Sequence, residues 1–289
     1  MPFSLSLPTC HGIKHHDIKR CINDIKFRQT MNSNNQLNYH FHTPENPQSS
    51  TPIVLIHGLF GDLSNLGILG RDLQQHYPVI QIDVRNHGIS PQMENMDYRD
   101  MAQDVLSLLD ELNVAKAIII GHSMGGKIAM TITAVAPERI EQIVVIDIAP
   151  VTYLTRHHDS IFAALNQVTE AGAQTRQAAT EVMRKDIHED GVIQFLLKSF
   201  RQGEWKFNLP VLQKEYEKII GWEAIPAWPK PALFIRGGNS DYITEAYRED
   251  IIRQFPQATA WVIAGCGHWV HAEKPEAVLR AIHRFLAKK

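Results

Sequence analysis

The pentapeptide Gly121-His122-Ser123-Met124-Gly125 follows directly on the apolar run Ala117 to Ile120 and is continued by Gly126. A strand that turns abruptly into a helix forces its corner residue to a positive φ and lifts that side chain clear of the backbone. The residues two before and two after the corner must then lack side chains to avoid collision, and Gly121 and Gly125 meet that demand. Beyond the corner, Met124, Ile128, Ile132 and Val135 recur at helical intervals. The segment predicts a strand, a corner and a helix, with Ser123 displayed as a nucleophile.

The rest of the chain supplies the sheet that such a corner needs. Short apolar runs over Ile53 to Ile56, Val79 to Ile82, Ala117 to Ile120, Ile143 to Ile146, Ala232 to Ile235 and Trp261 to Ile263 read as strands. Amphipathic stretches separate most of them; in Tyr98 to Leu112, residues Met101, Val105, Leu108, Leu109 and Leu112 share one face. Strands without polar alternation, separated by helices, indicate an α/β fold with a mostly parallel sheet covered on both faces. Leu37, Tyr39 and Phe41 alternate as an outer strand should.

Between Ile146 and Ala232 the strands stop. Helices are expected there over Ser160 to Thr169, Gln174 to Asp186, Gly191 to Phe200 and Leu209 to Ile220. An insertion that leaves one strand and returns to the same sheet forms a cap over its C-terminal edge, where open α/β sheets bind ligands. The expected division is a core of residues 36–150 and 226–289, a helical cap of 151–225, and a loosely ordered extension over 1–35 that ends in Asn32-Ser33-Asn34-Asn35-Gln36.

A serine nucleophile needs a base. His268, in Gly265-Cys266-Gly267-His268-Trp269 just after the last strand, can reach the serine oxygen from the C-terminal edge. His122 flanks the nucleophile and must leave the corner on its other side. The oxyanion needs two donors: the Met124 amide at the start of the helix, and the Leu59 amide in His57-Gly58-Leu59-Phe60-Gly61 after the first core strand. For the acid that orients the imidazole, two residues compete. Asp241 follows the strand Ala232 to Ile235, and Asp147 ends the strand Ile143 to Ile146.

Composition closes off other classes. A net charge of -2 and no long basic block give no footprint for nucleic acid or an anionic membrane surface. No apolar run approaches the ~20 residues of a spanning helix, and the start of the chain lacks a secretory signal, so a cytoplasmic location is expected. The three cysteines, Cys10, Cys21 and Cys266, are scattered as reduced thiols are; a Cys10 to Cys21 disulfide is the less favoured reading. The fifteen histidines show no metal-ligand spacing, and no metal or cofactor is expected.

Taken together, these motifs with Asp83-Val84-Arg85-Asn86-His87-Gly88, Asp147-Ile148-Ala149-Pro150, Gly237-Gly238-Asn239-Ser240 and the ending Val270-His271 resemble the α/β-hydrolase superfamily, and within it the YbfF-like esterases. The resemblance runs from about Leu37 to the C-terminus. It implies Asp147 as the acid, with Ser240 standing where most relatives carry theirs and contacting His268; Asp241 is the alternative. It also implies a serine esterase acting on small-molecule esters or thioesters of short to medium acyl chains, acyl-CoA among them. The alternatives are a carbon-carbon bond or carboxyl methyl ester hydrolase of the same fold, and a slow-turnover small-ligand receptor.

Overall fold

A computed structural model describes residues 36–287, all within the unit Asn34–Lys289. The expected extension, with Cys10 and Cys21, lies outside the described residues. Seven strands form the main sheet: β1 (Tyr39–His42), β2 (Ile53–Ile56), β3 (Val79–Ile82), β4 (Ala117–His122), β5 (Ile140–Ile146), β8 (Ala232–Gly237) and β9 (Ala258–Ile263). Their order is β1-β3-β2-β4-β5-β8-β9. Only β1 runs antiparallel to its neighbour, β3; the other pairings are parallel.

Every residue of β2, β3 and β4 is buried, because helices cover both faces. Successive side chains on a strand point to opposite faces, so each run feeds two cores. Val54, Ile56, Ile80, Ile119 and Val145 pack with α2 (Tyr98–Glu111) and α3 (Met124–Val135). Ile53, Leu55, Ile118, Ile120 and Val144 pack with α1 (Gly67–Leu73) and α9 (Pro275–Leu286). The outer strands are less apolar, which explains where expectation and structure part. β9 begins at Ala258 rather than Trp261, and its residues up to Val262 are half-buried or exposed. Helix α1 carries little signal because of its glycines; a Cβ on Gly70 would sit 2.7 Å from Gln81 Oε1.

Between β5 and β8 lie α4 (Asp159–Glu170), α5 (Arg176–Met183), α6 (Asp190–Lys198), α7 (Leu209–Lys214) and α8 (Tyr216–Ile220). The stretch expected as one helix over Leu209 to Ile220 is broken at Glu215. The helix expected to reach Phe200 stops at Lys198, and a small hairpin follows: β6 (Phe200–Arg201) pairs with β7 (Glu204–Trp205). Gln202 at φ 52° and Gly203 at φ 84° turn it, the sign that tight hairpin loops require. Two-residue strands leave no periodicity to read.

Candidate active site

Ser123 sits at φ 53° and ψ -120° between β4 and α3. The corner depends on its glycines: a Cβ on Gly121 would lie 2.1 Å from the Gly125 carbonyl oxygen, and one on Gly125 2.3 Å from the Ile56 oxygen. Parallel strands bring their C-terminal ends together, and the loops after β4, β5, β8 and β9 converge there. His268 Nε2 lies 2.9 Å from Ser123 Oγ, and His268 Nδ1 lies 2.8 Å from Asp147 Oδ2. An ionised carboxylate only accepts, so the partners assign the proton to Nδ1 and leave Nε2 to accept from the serine hydroxyl.

Asp147 is fully buried and held at φ 55°. Its Oδ1 accepts from the Gly237 amide at 2.9 Å, and its Oδ2 accepts from Ser240 Oγ at 2.5 Å. The Ser240 hydroxyl therefore meets the carboxylate, not His268 as expected: the turn after β8 aims it at Asp147. Asp241 is exposed. Among the described residues it makes no hydrogen bond to His268.

Leu59 and Met124, the residues expected to supply oxyanion donors, line one small cavity with Ser123. The Leu59 loop is pinned by two imidazoles that the sequence did not single out for this. The amide of Phe60, itself at φ 64°, donates to His87 Nε2 at 3.2 Å, and the Val84 amide donates to His57 Nε2 at 3.0 Å. Their Nδ1–H groups donate to Arg85 O and Gly58 O at 2.9 and 2.8 Å. Both rings must be neutral to accept. Burial first, then the neighbouring His57, pushes His87 down to about 3, and burial lowers His57. Arg85 is structural: its guanidinium forks onto Asp104 at 2.6 and 2.8 Å and meets Asn95 at 2.6 Å.

His268 is gripped from two further sides. The Tyr242 ring stacks on it at 3.9 Å and 21°. His122 leaves the corner away from Ser123, as expected, and its Nε2–H donates to the His268 carbonyl at 2.9 Å. Burial, with His271 and His268 adding, holds His122 well below the usual histidine range, so it stays neutral. His271, its ring 4.2 Å from that of His122, is pushed down to about 3, chiefly by burial. Its position three residues after His268 was the sequence signal.

The cavity beside Ser123 measures about 20 Å³, room for about one water. Lys127 lines it, 1% exposed, and donates to Ile220 O and Gly221 O at 2.9 and 2.8 Å. The rings of Tyr153 and Tyr98 lie 4.9 and 5.7 Å from its ammonium. Burial lowers Lys127 to about 7, while those carbonyls and ring faces favour its charged form. Among the described residues no group of His, Cys, Asp and Glu is placed to hold a metal ion, and no helix is long and apolar enough to cross a membrane.

Comparison with known proteins identifies the family. The sequence signature of the Alpha/beta hydrolase family matches residues 53–281. Esterase YbfF of Escherichia coli is 59% identical over 251 residues, covering 87% of this chain and 99% of that protein. The sn-1-specific diacylglycerol lipase ABHD11 of Mus musculus is 35% identical over 81% of this chain and 80% of its own. A solved structure titled Marine microorganism esterase superposes with a TM-score of 0.81 at 34% identity, over 86% of this chain and 99% of that one. The chain belongs to the alpha/beta hydrolase family and, within it, is a YbfF-like esterase.

Proposed function

We propose that the chain hydrolyses carboxylic esters or thioesters of short to medium acyl chains through an acyl-enzyme on Ser123. The observation that carries the reading is the line Asp147–His268–Ser123, with contacts of 2.8 and 2.9 Å. His268 Nε2 takes the hydroxyl proton as Ser123 Oγ bonds to the acyl carbon. The oxyanion is met by the Leu59 and Met124 amides. As the tetrahedral species collapses, the carbon–oxygen or carbon–sulfur bond breaks and the His268 proton goes to the leaving group. Water then attacks the acyl-enzyme, giving its proton to His268 and releasing the acid and Ser123. Asp147 holds the imidazole in the competent tautomer and stabilises its cation. Ser240 is a positioning residue for Asp147.

Residues 151–225 act as the cap over the core of 36–150 and 226–289. Tyr153, His157, His158 and Tyr216 of this cap line the cavity beside Ser123, and the short-chain reading rests on the resemblance to YbfF-like esterases, although the ABHD11 relative is named for a diacylglycerol. The test is fluorophosphonate labelling followed by a panel of p-nitrophenyl esters from acetate to dodecanoate, with CoA thioesters beside them. Wild type labels and turns over repeatedly, with kcat/KM highest at short chains. Ser123→Ala loses both label and turnover. Activity retained in Ser123→Ala overturns the mechanism, and a kcat/KM that rises steadily to dodecanoate overturns the short-chain reading.

A further inference from the structure

A cleft of about 410 Å³ opens where the start of α5, the end of α6 and the β6–β7 hairpin meet, lined by Arg176, Lys198, Phe200, Arg201, Gln202 and Lys206. Four of these six are cations and none is acidic, in a chain whose acids outnumber its bases 31 to 29. Arg176, Lys198 and Arg201 form no ion pair with an acidic side chain among the described residues. Glu204 stands opposite Arg201 in the hairpin register without bridging to it. Lys206 alone has a partner, its Nζ 3.8 Å from Asp62 Oδ2.

Such a cluster is unfavourable by itself. Like charges gathered around one depression repel, and a bound anion relieves that repulsion. Arg176 adds to the cost, because it occupies the first helical position of α5, the positive end of the helix dipole. Nothing in core packing compensates, since all four cations are exposed.

The cleft is joined to the candidate active site by the segment that carries it. Ser199 Oγ donates to Phe60 O at 2.8 Å, so the residue after Lys198 is tied to the oxyanion loop. Lys206 reaches Asp62, three residues beyond Leu59. The Phe195 ring lies 5.6 Å from that of Trp269, the neighbour of His268. These three contacts set the segment that carries the cleft against the Leu59 loop and the His268 loop.

We infer that the Arg176–Lys198–Arg201–Lys206 cleft binds phosphate groups on the leaving-group side of a soluble ester or thioester substrate. This rests on the esterase reading above and names the residues that hold a phosphorylated leaving group. Two guanidinia and two ammonium groups suit phosphate, which arginine grips through a fork of donors and lysine as a point charge.

The test uses the full chain and a triple variant, Arg176→Gln, Lys198→Gln and Arg201→Gln; Lys206 is spared because of its tie to Asp62. Three readouts are compared: kcat/KM for butyryl-CoA, kcat/KM for butyryl-pantetheine, which lacks phosphate, and calorimetric binding of adenosine 3′,5′-bisphosphate. Wild type is expected to prefer butyryl-CoA and bind the bisphosphate. The variant loses about 10-fold or more on butyryl-CoA, mainly through KM, loses bisphosphate binding, and stays within about 2-fold on butyryl-pantetheine; each lost phosphate contact contributes a few-fold. Raising salt from 50 to 500 mM weakens only the phosphorylated pair. The inference is overturned if wild type does not bind the bisphosphate, or if the variant treats both thioesters as wild type does. It is also overturned if the triple change abolishes binding to phosphatidylglycerol vesicles and leaves bisphosphate binding intact, which assigns the cleft to a membrane surface. Bisphosphate binding without hydrolysis of either thioester or of p-nitrophenyl butyrate supports the cleft and defeats only the esterase reading.

Discussion

Replacing Asp147 with asparagine tests the acid most directly. The carboxylate accepts three hydrogen bonds, from His268 Nδ1–H, Ser240 Oγ–H and the Gly237 amide, at 2.8, 2.5 and 2.9 Å. An asparagine amide keeps one accepting oxygen. If that oxygen stays on the Gly237 amide, the NH₂ faces the imidazole, and the ring satisfies it by moving its proton to Nε2. The base then points a proton at Ser123 and cannot take another. Loss of the competent tautomer in a serine triad costs about 10³- to 10⁴-fold in kcat, or about 4–5.5 kcal/mol of barrier. Asp147→Asn is expected to fall by that factor on p-nitrophenyl butyrate, with KM changed less than about 3-fold. Asp241→Asn, altering an exposed side chain, is expected to stay within about 3-fold. Both are assayed from pH 6 to 9 beside their thermal unfolding. An equal or greater loss in a folded Asp241→Asn protein refutes the assignment.

Gly121→Ala places a Cβ 2.1 Å from the Gly125 oxygen, and overpacking against backbone is expected to cost about 3 kcal/mol or more in urea unfolding. His158 and His271 are both pushed to about 3 by burial, while in the unfolded chain they titrate near 6.5, so below that pH the unfolded state binds the extra protons. Stability is then fully present above about 6.5 and is lost as pH falls toward 3; from pH 7 to 5.5 each contributes a loss of about 1 kcal/mol. His271→Gln should flatten that slope in denaturant titrations. For Lys127 the folded value of about 7 lies below the ordinary 10.5, so the unfolded state holds the extra proton between them and stability rises with pH across that window. Lys127→Met is expected to remove this rise, at most about 1.4 kcal/mol per pH unit. An unchanged slope means the carbonyls and rings hold the ammonium charged.

How far the fold can be read from the chain depends on burial. Central strands covered on both faces declare themselves, as Ile53-Val54-Leu55-Ile56 does. The edge strand β9 hides its start because Ala258 to Val262 is not continuously buried. The corner serine is local chemistry, legible in five residues. The tie between Lys127 and the carbonyls of Ile220 and Gly221 is not, since its partners stand 93 and 94 residues away and nothing in Gly125-Gly126-Lys127-Ile128 marks a buried cation. His57 and His87 were visible as loop residues, but their grip on the Leu59 loop depends on two strand ends meeting.

The acid poses a different problem, because two answers are nearly equivalent in space. β5 and β8 are adjacent and in register, Ile146 opposite Ile235, and parallel neighbours lie about 4.8 Å apart. A carboxylate on either strand end could therefore reach one imidazole above them. What separates the two is backbone direction. The Asp147 amide donates to Ile235 O at 2.8 Å, carrying the pairing one residue past β5, and the Gly237 amide returns a bond to Asp147 Oδ1. That reciprocal clamp turns the Asp147 side chain inward at φ 55°. The turn after β8, closed by Ser240 N to Gly237 O at 3.1 Å, brings a hydroxyl inward and leaves Asp241 outside. A second carboxylate inward beside Asp147 would put two like charges in one buried site and force one of them neutral. A serine there adds a donor to the acid without that conflict, so the residue pair Asp147 and Ser240 is consistent only as a pair. Ser240→Asp with Asp147 retained is accordingly the less viable exchange, and relocating the acid requires both positions to change together.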